Sequence, residues 1–295
     1  MKNFKILNNL SEITNKFDAY IIDIWGVLWD GIEPYEYAKD ALEKLKKKKK
    51  IIILLSNAPR RSKLVAQRLN EIGINNNLYS TIISSGEVCR ENFLKNKEKI
   101  SKIGKYFYFI GQDADKGITS NLEIREKNSI SDANFLLVCG TRDFDHTLKN
   151  YIAELDEGLK YKLPLICANP DKVVIRKNGK MITCAGILAE YYKNNGGKVI
   201  SYGKPYHEVY KKSIQFFTKI NLNISNKNIL VIGDSLETDI LGANKFGLKS
   251  LLVTNGIHSD KLFNNDDKNL LSNKLQVLSK TFAAYPDYTI RNLIF

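Results

Sequence analysis

Apolar residues run through this chain in short blocks separated by turn formers. Residues 19–22 (AYII) and 51–55 (IIILL) are unbroken, and 79–83 forms a third block. Runs of four or five apolar residues bounded by Gly, Asn or Asp predict fully buried strands. Between them the spacing changes to a helical one. Ala38, Ala41, Leu42 and Leu45 share a face within 34–46, and Leu64, Val65, Leu69 and Ile72 share one before Gly73, a stop signal. Strands alternating with helices predict βαβ units and a parallel sheet.

The alternation continues along the chain. Strands are expected at 106–110, 135–139 and 165–168, and a helix at 147–159. Segments 173–175 and 181–183 flank Asn178-Gly179, which predicts a hairpin. Helices at 186–193 and 208–217 and strands at 199–202, 228–232 and 250–253 follow, then a polar stretch, 264–269, expected as a loop. The second α/β unit is expected to be inserted into the first. The division reads as a core of 1–86 and 186–295, a doubly wound parallel α/β sheet, and an α/β unit of 87–185.

Composition changes this picture little. Of 295 residues, 43% are hydrophobic and 26% charged, as in ordinary globular proteins. No apolar run of about 18 residues is present, so no membrane span is expected. Residues 1–17 have no apolar stretch or small-residue cleavage site of a secretory signal. Cys89, Cys139, Cys167 and Cys184 are widely spaced without a CxxC pair. They read as small buried residues of a cytoplasmic protein, not a disulfide frame or a zinc site. The net charge of +13 would suit phosphorylated or nucleic-acid partners, or a scatter of solvated lysines. No aromatic-glycine pattern of an RNA-binding sheet accompanies it, so nucleic acid is a minor reading.

Chemistry gathers where the apolar blocks stop. Asp23 follows one block, Ser56 and Asn57 another, Lys204 a third, and Asp234 with Asp239 a fourth. In an open parallel sheet such strand ends share one edge, where ligands bind. Asp23 there could be a nucleophile or a metal ligand, or an ordinary turn former. Carboxylates, a hydroxyl and an ammonium together suit Mg²⁺ and a phosphate.

DIWGVLWDG, LLSNAPR, YGKP and VIGDSLETDILGA resemble the four motifs of the haloacid dehalogenase superfamily. ANPD at 168–171, GILAEYY after it and AYPDYTIRNL near the end resemble its class IIA, NagD-like phosphatases. The resemblance covers nearly the whole chain. It implies a Rossmann-like core with an inserted cap of the C2 type, and Mg²⁺-dependent hydrolysis of a small phosphorylated metabolite. Asp23 would form an aspartyl-phosphate. Asp23, the backbone carbonyl of Trp25 and Asp234 would hold Mg²⁺, with Asp239 acting through water. Ser56 and the Asn57 N–H would bind phosphoryl oxygens, and Lys204 would neutralise charge. Caps of this class often mediate dimers, so a homo-oligomer through the cap is one expectation.

The chain departs from the pattern at Trp25, where such phosphatases carry a second Asp that protonates the leaving group and activates water. Asp30 and Glu237 are candidate replacements. A catalytically impaired phosphate- and Mg²⁺-binding protein with a regulatory role is the alternative. A nucleotide-binding Rossmann protein is disfavoured, because no strand is followed by GxGxxG. Arg142 and Asp143, with Asp30, are expected substrate contacts; each could instead serve a turn. His146, His207 and His258 lack ligand spacing and read as surface or helix-start residues.

Overall fold

The computed structural model describes residues 4–95, 103–176, 178–220, 224–263 and 271–295. The expected loop at 264–269 lies outside them. Two parallel sheets organise the chain, as the alternating pattern requires. The larger holds β1 (Lys5–Leu7), β2 (Ala19–Asp23), β3 (Ile51–Ser56), β4 (Thr81–Ser84), β12 (Ile229–Gly233), β13 (Lys249–Val253) and β14 (Tyr288–Ile290). Its order is β1-β14-β13-β12-β2-β3-β4, with all pairings parallel. The second holds β5 (Tyr106–Ile110), β6 (Arg125–Glu126), β7 (Phe135–Val138), β8 (Leu165–Cys167) and β11 (Val199–Ser201). Its order is β11-β8-β7-β5-β6, again parallel. The hairpin forms as expected, with β9 (Val173–Ile175) antiparallel to β10 (Met181–Thr183) and Gly179 at φ +77° in its turn.

The central strands read as unbroken apolar runs because both faces are covered. Tyr20 and Ile22 of β2 pack in one core with Ile52 and Leu54 of β3. The alternate residues, Ala19, Ile21, Ile53 and Leu55, enter another core, which continues to Phe107, Phe135 and Ile166 of the second sheet. That shared core joins the two sheets. The far face of the second sheet packs Leu136, Val138 and Leu165 under the helices Ile152–Lys160 and Ala185–Asn194.

Three features differ from the sequence reading. The strand before Lys204 was expected to end on the same sheet edge as Asp23, but β11 pairs with β8 of the second sheet, Val199 opposite Leu165. The helix Ala185–Asn194 packs on that sheet too, so the inserted unit extends past residue 185. Strands β1, at the sheet edge, and β14, next to it, have three residues each and carry too short a pattern to be read; β14 pairs with both β1 and β13. No helix among the described residues is long and apolar enough to cross a membrane.

Candidate active site

Strands β12, β2 and β3 are neighbours, and chain order reverses across them, which opens a crevice at their carboxyl ends. β2 ends at Asp23 and β3 at Ser56, while Asp234 directly follows β12. Asp239 lies on a single π-type turn, Leu236–Ile240, that runs into the helix Leu241–Lys245. Ligand oxygens of Asp23, Asp234 and Asp239 lie within 4.8 Å of one another, and all three residues are buried. Glycines permit this crowding. A Cβ at Gly26 or Gly256 would overlap the Asp234 carboxylate, and Gly26 has φ +80°, which a side chain would strain.

Lys204 enters from the loop after β11. Its Nζ donates to Asp23 Oδ1 and, at 2.7 Å, to Asp239 Oδ1, at 2% exposure. Asn57 fixes the loop: its Oδ1 accepts the Lys204 N–H at 2.7 Å, and its Nδ2 donates to the Lys204 carbonyl at 3.1 Å. The same Nδ2 donates to Asp171 Oδ1 at 2.8 Å, so a core residue ties down a carboxylate of the inserted unit. Ser56 is buried at the strand end, and its Oγ accepts the Ala58 N–H at 3.1 Å.

The charges are unbalanced within this group. Burial raises the Asp23 carboxyl well above the usual range; Lys204 opposes the rise, and Asp239 and Asp234 add to it. Burial and the neighbouring Asp239 push Asp234 up to about 7. Burial favours a neutral Lys204, but Asp23, Asp239 and Asp171 outweigh it and keep the ammonium charged. Asp23 and Asp234, which resist ionisation, and Asp239 beside them all offer hard oxygen donors, a set that fits a divalent cation of the Mg²⁺ kind.

These residues face a cavity of about 620 Å³ between the two sheets. Trp25 lines it and closes part of its wall: its Nε1 donates to the Ile175 carbonyl of the hairpin at 3.1 Å, and its ring meets Trp29 edge-on, with centroids 5.0 Å apart. Asp30 lines the cavity as well, but its Oδ1 is engaged by the N–H groups of Ile32 (2.8 Å) and Glu33 (2.7 Å), closing a turn. Glu237 lines the cavity beside Lys172, which donates to it at 3.4 Å.

Arg142 and Asp143 are not brought to the cavity, whose wall passes through Gly140, Thr141 and Phe144. Arg142 is captured by Glu154 through two bonds of 2.7 and 2.6 Å, and Asp143 caps a turn by accepting the Asp145 N–H. The histidines serve structure. His146 Nδ1 meets the Tyr151 hydroxyl at 2.9 Å, and His207 starts a helix against the ring of Phe246. His258 Nε2 accepts the Leu236 N–H at 3.0 Å, holding the turn that carries Asp239. All four cysteines are buried and unpaired. The side-chain roles of Asn57, Asp171 and His258 escaped the sequence reading. For Asp171 the ANPD segment was the available signal; the other two carried none.

Two family models match this chain. One, described as haloacid dehalogenase-like hydrolase, covers residues 20–125, and the other, HAD-hydrolase-like, covers 201–276; together they take in more than half of the chain. The chain belongs to the haloacid dehalogenase-like hydrolases. Its relatives in this family include the 4-nitrophenylphosphatase of Schizosaccharomyces pombe, 25% identical across 96% of this chain and 94% of that protein. The ribonucleotide monophosphatase NagD of Escherichia coli is 24% identical across 81% of this chain and 88% of its own length. A haloacid dehalogenase-like hydrolase from Brucella suis superposes with a TM-score of 0.83 at 28% identity, covering 98% of this chain and 100% of that one. For 4-nitrophenylphosphatase from Thermotoga maritima the TM-score is 0.67 at 19% identity, over 95% and 96% of the two chains, a likeness of fold. The hydrolase fold of α/β class with a second α/β unit is therefore common to this chain and to these neighbours.

Proposed function

We propose that this hydrolase is a Mg²⁺-dependent phosphatase of a small phosphorylated metabolite, with Asp23 as nucleophile. The observation that carries the reading is Asp23 itself. It is a buried carboxylate at the end of a central strand, bonded to the Lys204 ammonium, and it opens on the cavity. The named phosphatase relatives support the same reaction class.

An Asp23 oxygen attacks phosphorus; the bond to that oxygen forms as the bond to the leaving group breaks. The leaving oxygen departs with the electron pair and takes a proton from water. Water then attacks the phosphorus of the aspartyl-phosphate and gives its proton to solvent. Inorganic phosphate leaves and the Asp23 carboxylate returns. Ser56 Oγ and the Asn57 N–H bind the phosphoryl oxygens, and Lys204 offsets charge between Asp23 and the phosphate. Asp23, the Trp25 carbonyl and Asp234, with Asp239 through water, would hold Mg²⁺, which neutralises phosphate charge when bound. Trp25 provides no acid, since its only N–H of the ring points at the Ile175 carbonyl. Leaving groups that depart without protonation, aryl and acyl phosphates, suit such a site.

The test is hydrolysis of an aryl phosphate by wild type and Asp23→Asn, with and without Mg²⁺. Turnover that needs both Mg²⁺ and Asp23 is expected; Mg²⁺-dependent turnover persisting in the variant overturns the assignment. Trp25 also favours a second reading, an impaired hydrolase that binds phosphate and Mg²⁺ for regulation. Tight binding of an intact phosphoester without turnover is its signature, and rapid hydrolysis of that ligand excludes it.

A further inference from the structure

Five cationic side chains line the cavity among the described residues. Four have carboxylate partners. Lys204 has Asp23 and Asp239; Lys172 has Glu190 at 2.9 Å; Arg60 has Asp115 at 3.0 Å; Arg68 has Glu71 at 2.9 Å. Arg176 differs. Its guanidinium lies over the ring of Phe144, 4.5 Å from the centroid, and its Nε is buried with no hydrogen-bond partner.

A buried donor without an acceptor keeps the full cost of its lost hydration, and the cost is greater for a charged group. Because Arg176 lines the cavity, a small shift of its side chain would uncover Nε to an acceptor brought by a ligand, and the cost would disappear. The same wall holds a second such donor: Trp29 Nε1 is also buried without a partner. The two other side-chain atoms in this state among the described residues, Ser279 Oγ and Thr289 Oγ1, do not line the cavity.

Arg176 is also held in place. It follows Ile175, whose carbonyl accepts the Trp25 indole N–H at 3.1 Å. Its stem passes Gly31, where an added Cβ would stand 3.3 Å from Arg176 Cγ and would overlap the Trp25 ring. The stem of Arg176 therefore runs close to the Trp25 ring, in the wall of the cavity that Asp23 also lines.

We propose that Arg176 is a specificity residue that selects phosphomonoesters whose leaving group carries a second anionic group, a carboxylate or a phosphate. Its planar fork matches either anion. The inference rests on the phosphatase reading above.

The test compares three aryl phosphates: an unsubstituted ring, the same ring with a carboxylate, and the same ring with a second phosphate. Wild type is expected to prefer at least one charged ester by about tenfold or more in kcat/KM, through KM. Arg176→Gln is expected to erase that preference, and Arg176→Lys to keep part of it. The two charged arms tell carboxylate from phosphate. No preference in wild type, or the same preference in Arg176→Gln, overturns the inference. If wild type hydrolyses none of them, the phosphatase reading fails, and the ratio is taken from dissociation constants measured by calorimetry. Charged esters bound about tenfold tighter by wild type and not by Arg176→Gln then still uphold the role of Arg176; equal binding overturns it.

Discussion

Asp234→Asn is expected to stabilise the metal-free protein at neutral pH while removing its affinity for Mg²⁺. Asp234 is 7% exposed, its Oδ2 accepts the Ile257 N–H at 2.9 Å, and burial beside Asp239 pushes its carboxyl from the ordinary 3.8 up to about 7. The folded state thus holds the proton more tightly than the unfolded chain. The stability this confers is complete below about 3.8 and is lost as pH rises through about 7. At about 1.4 kcal/mol per unit, that interval is worth about 4 kcal/mol. Asparagine has nearly the same shape, can still accept the Ile257 N–H, and never ionises. In urea titrations with EDTA at about pH 8, the variant should exceed wild type by up to about 4 kcal/mol, and by almost nothing at about pH 4. Saturating Mg²⁺ should reverse the order by stabilising wild type alone, by mass action. A difference between the two proteins that does not change with pH in EDTA would refute the reasoning.

Two further outcomes follow from the same geometry. Lys204→Met removes the ammonium that Asp23 and Asp239 share. Breaking a buried ion pair costs about 3–5 kcal/mol, so a large loss in chemical denaturation at neutral pH is expected together with loss of hydrolysis; wild-type stability in this variant would contradict it. His258→Ala strands the Leu236 N–H, at a cost of about 1–3 kcal/mol. Burial lowers the His258 imidazole from 6.5 to about 4, so its contribution is present above 6.5 and lost as pH falls through about 4. Stability measured at both ends of that range should show wild type losing this acid-side increment and the variant lacking it; parallel curves would count against the assignment.

Much of the fold was legible locally. Strands β2, β3 and β12 are buried on both faces, so each writes an unbroken apolar run whatever the rest of the chain does. Strands β1 and β14 lack that signature, because strands of three residues owe their conformation to the neighbours they pair with. The helix Ser272–Phe282 escaped for a related reason: it leaves Val277 63% exposed, blurring the stripe that marks a packed helix.

The site divides along the same line. Asp23, Ser56 and Asp234 stand at or directly after the ends of central strands, and Asp239 one turn further on, so local spacing along the chain determined where those groups lie. Lys204 was recognisable as a residue, but its route was not. It approaches from the second sheet, and Asn57 clamps its loop across 147 positions of sequence. Arg142 looked available to a ligand until folding set Glu154 against it, and Arg176 drew no notice until folding left its Nε without an acceptor. Apolar runs and turn residues act over a few neighbours, and they alone established the strands and the carboxylates at their ends. Which cation is paired and which is free for a ligand depends on groups far apart in sequence, and only the packing of the two sheets decided it.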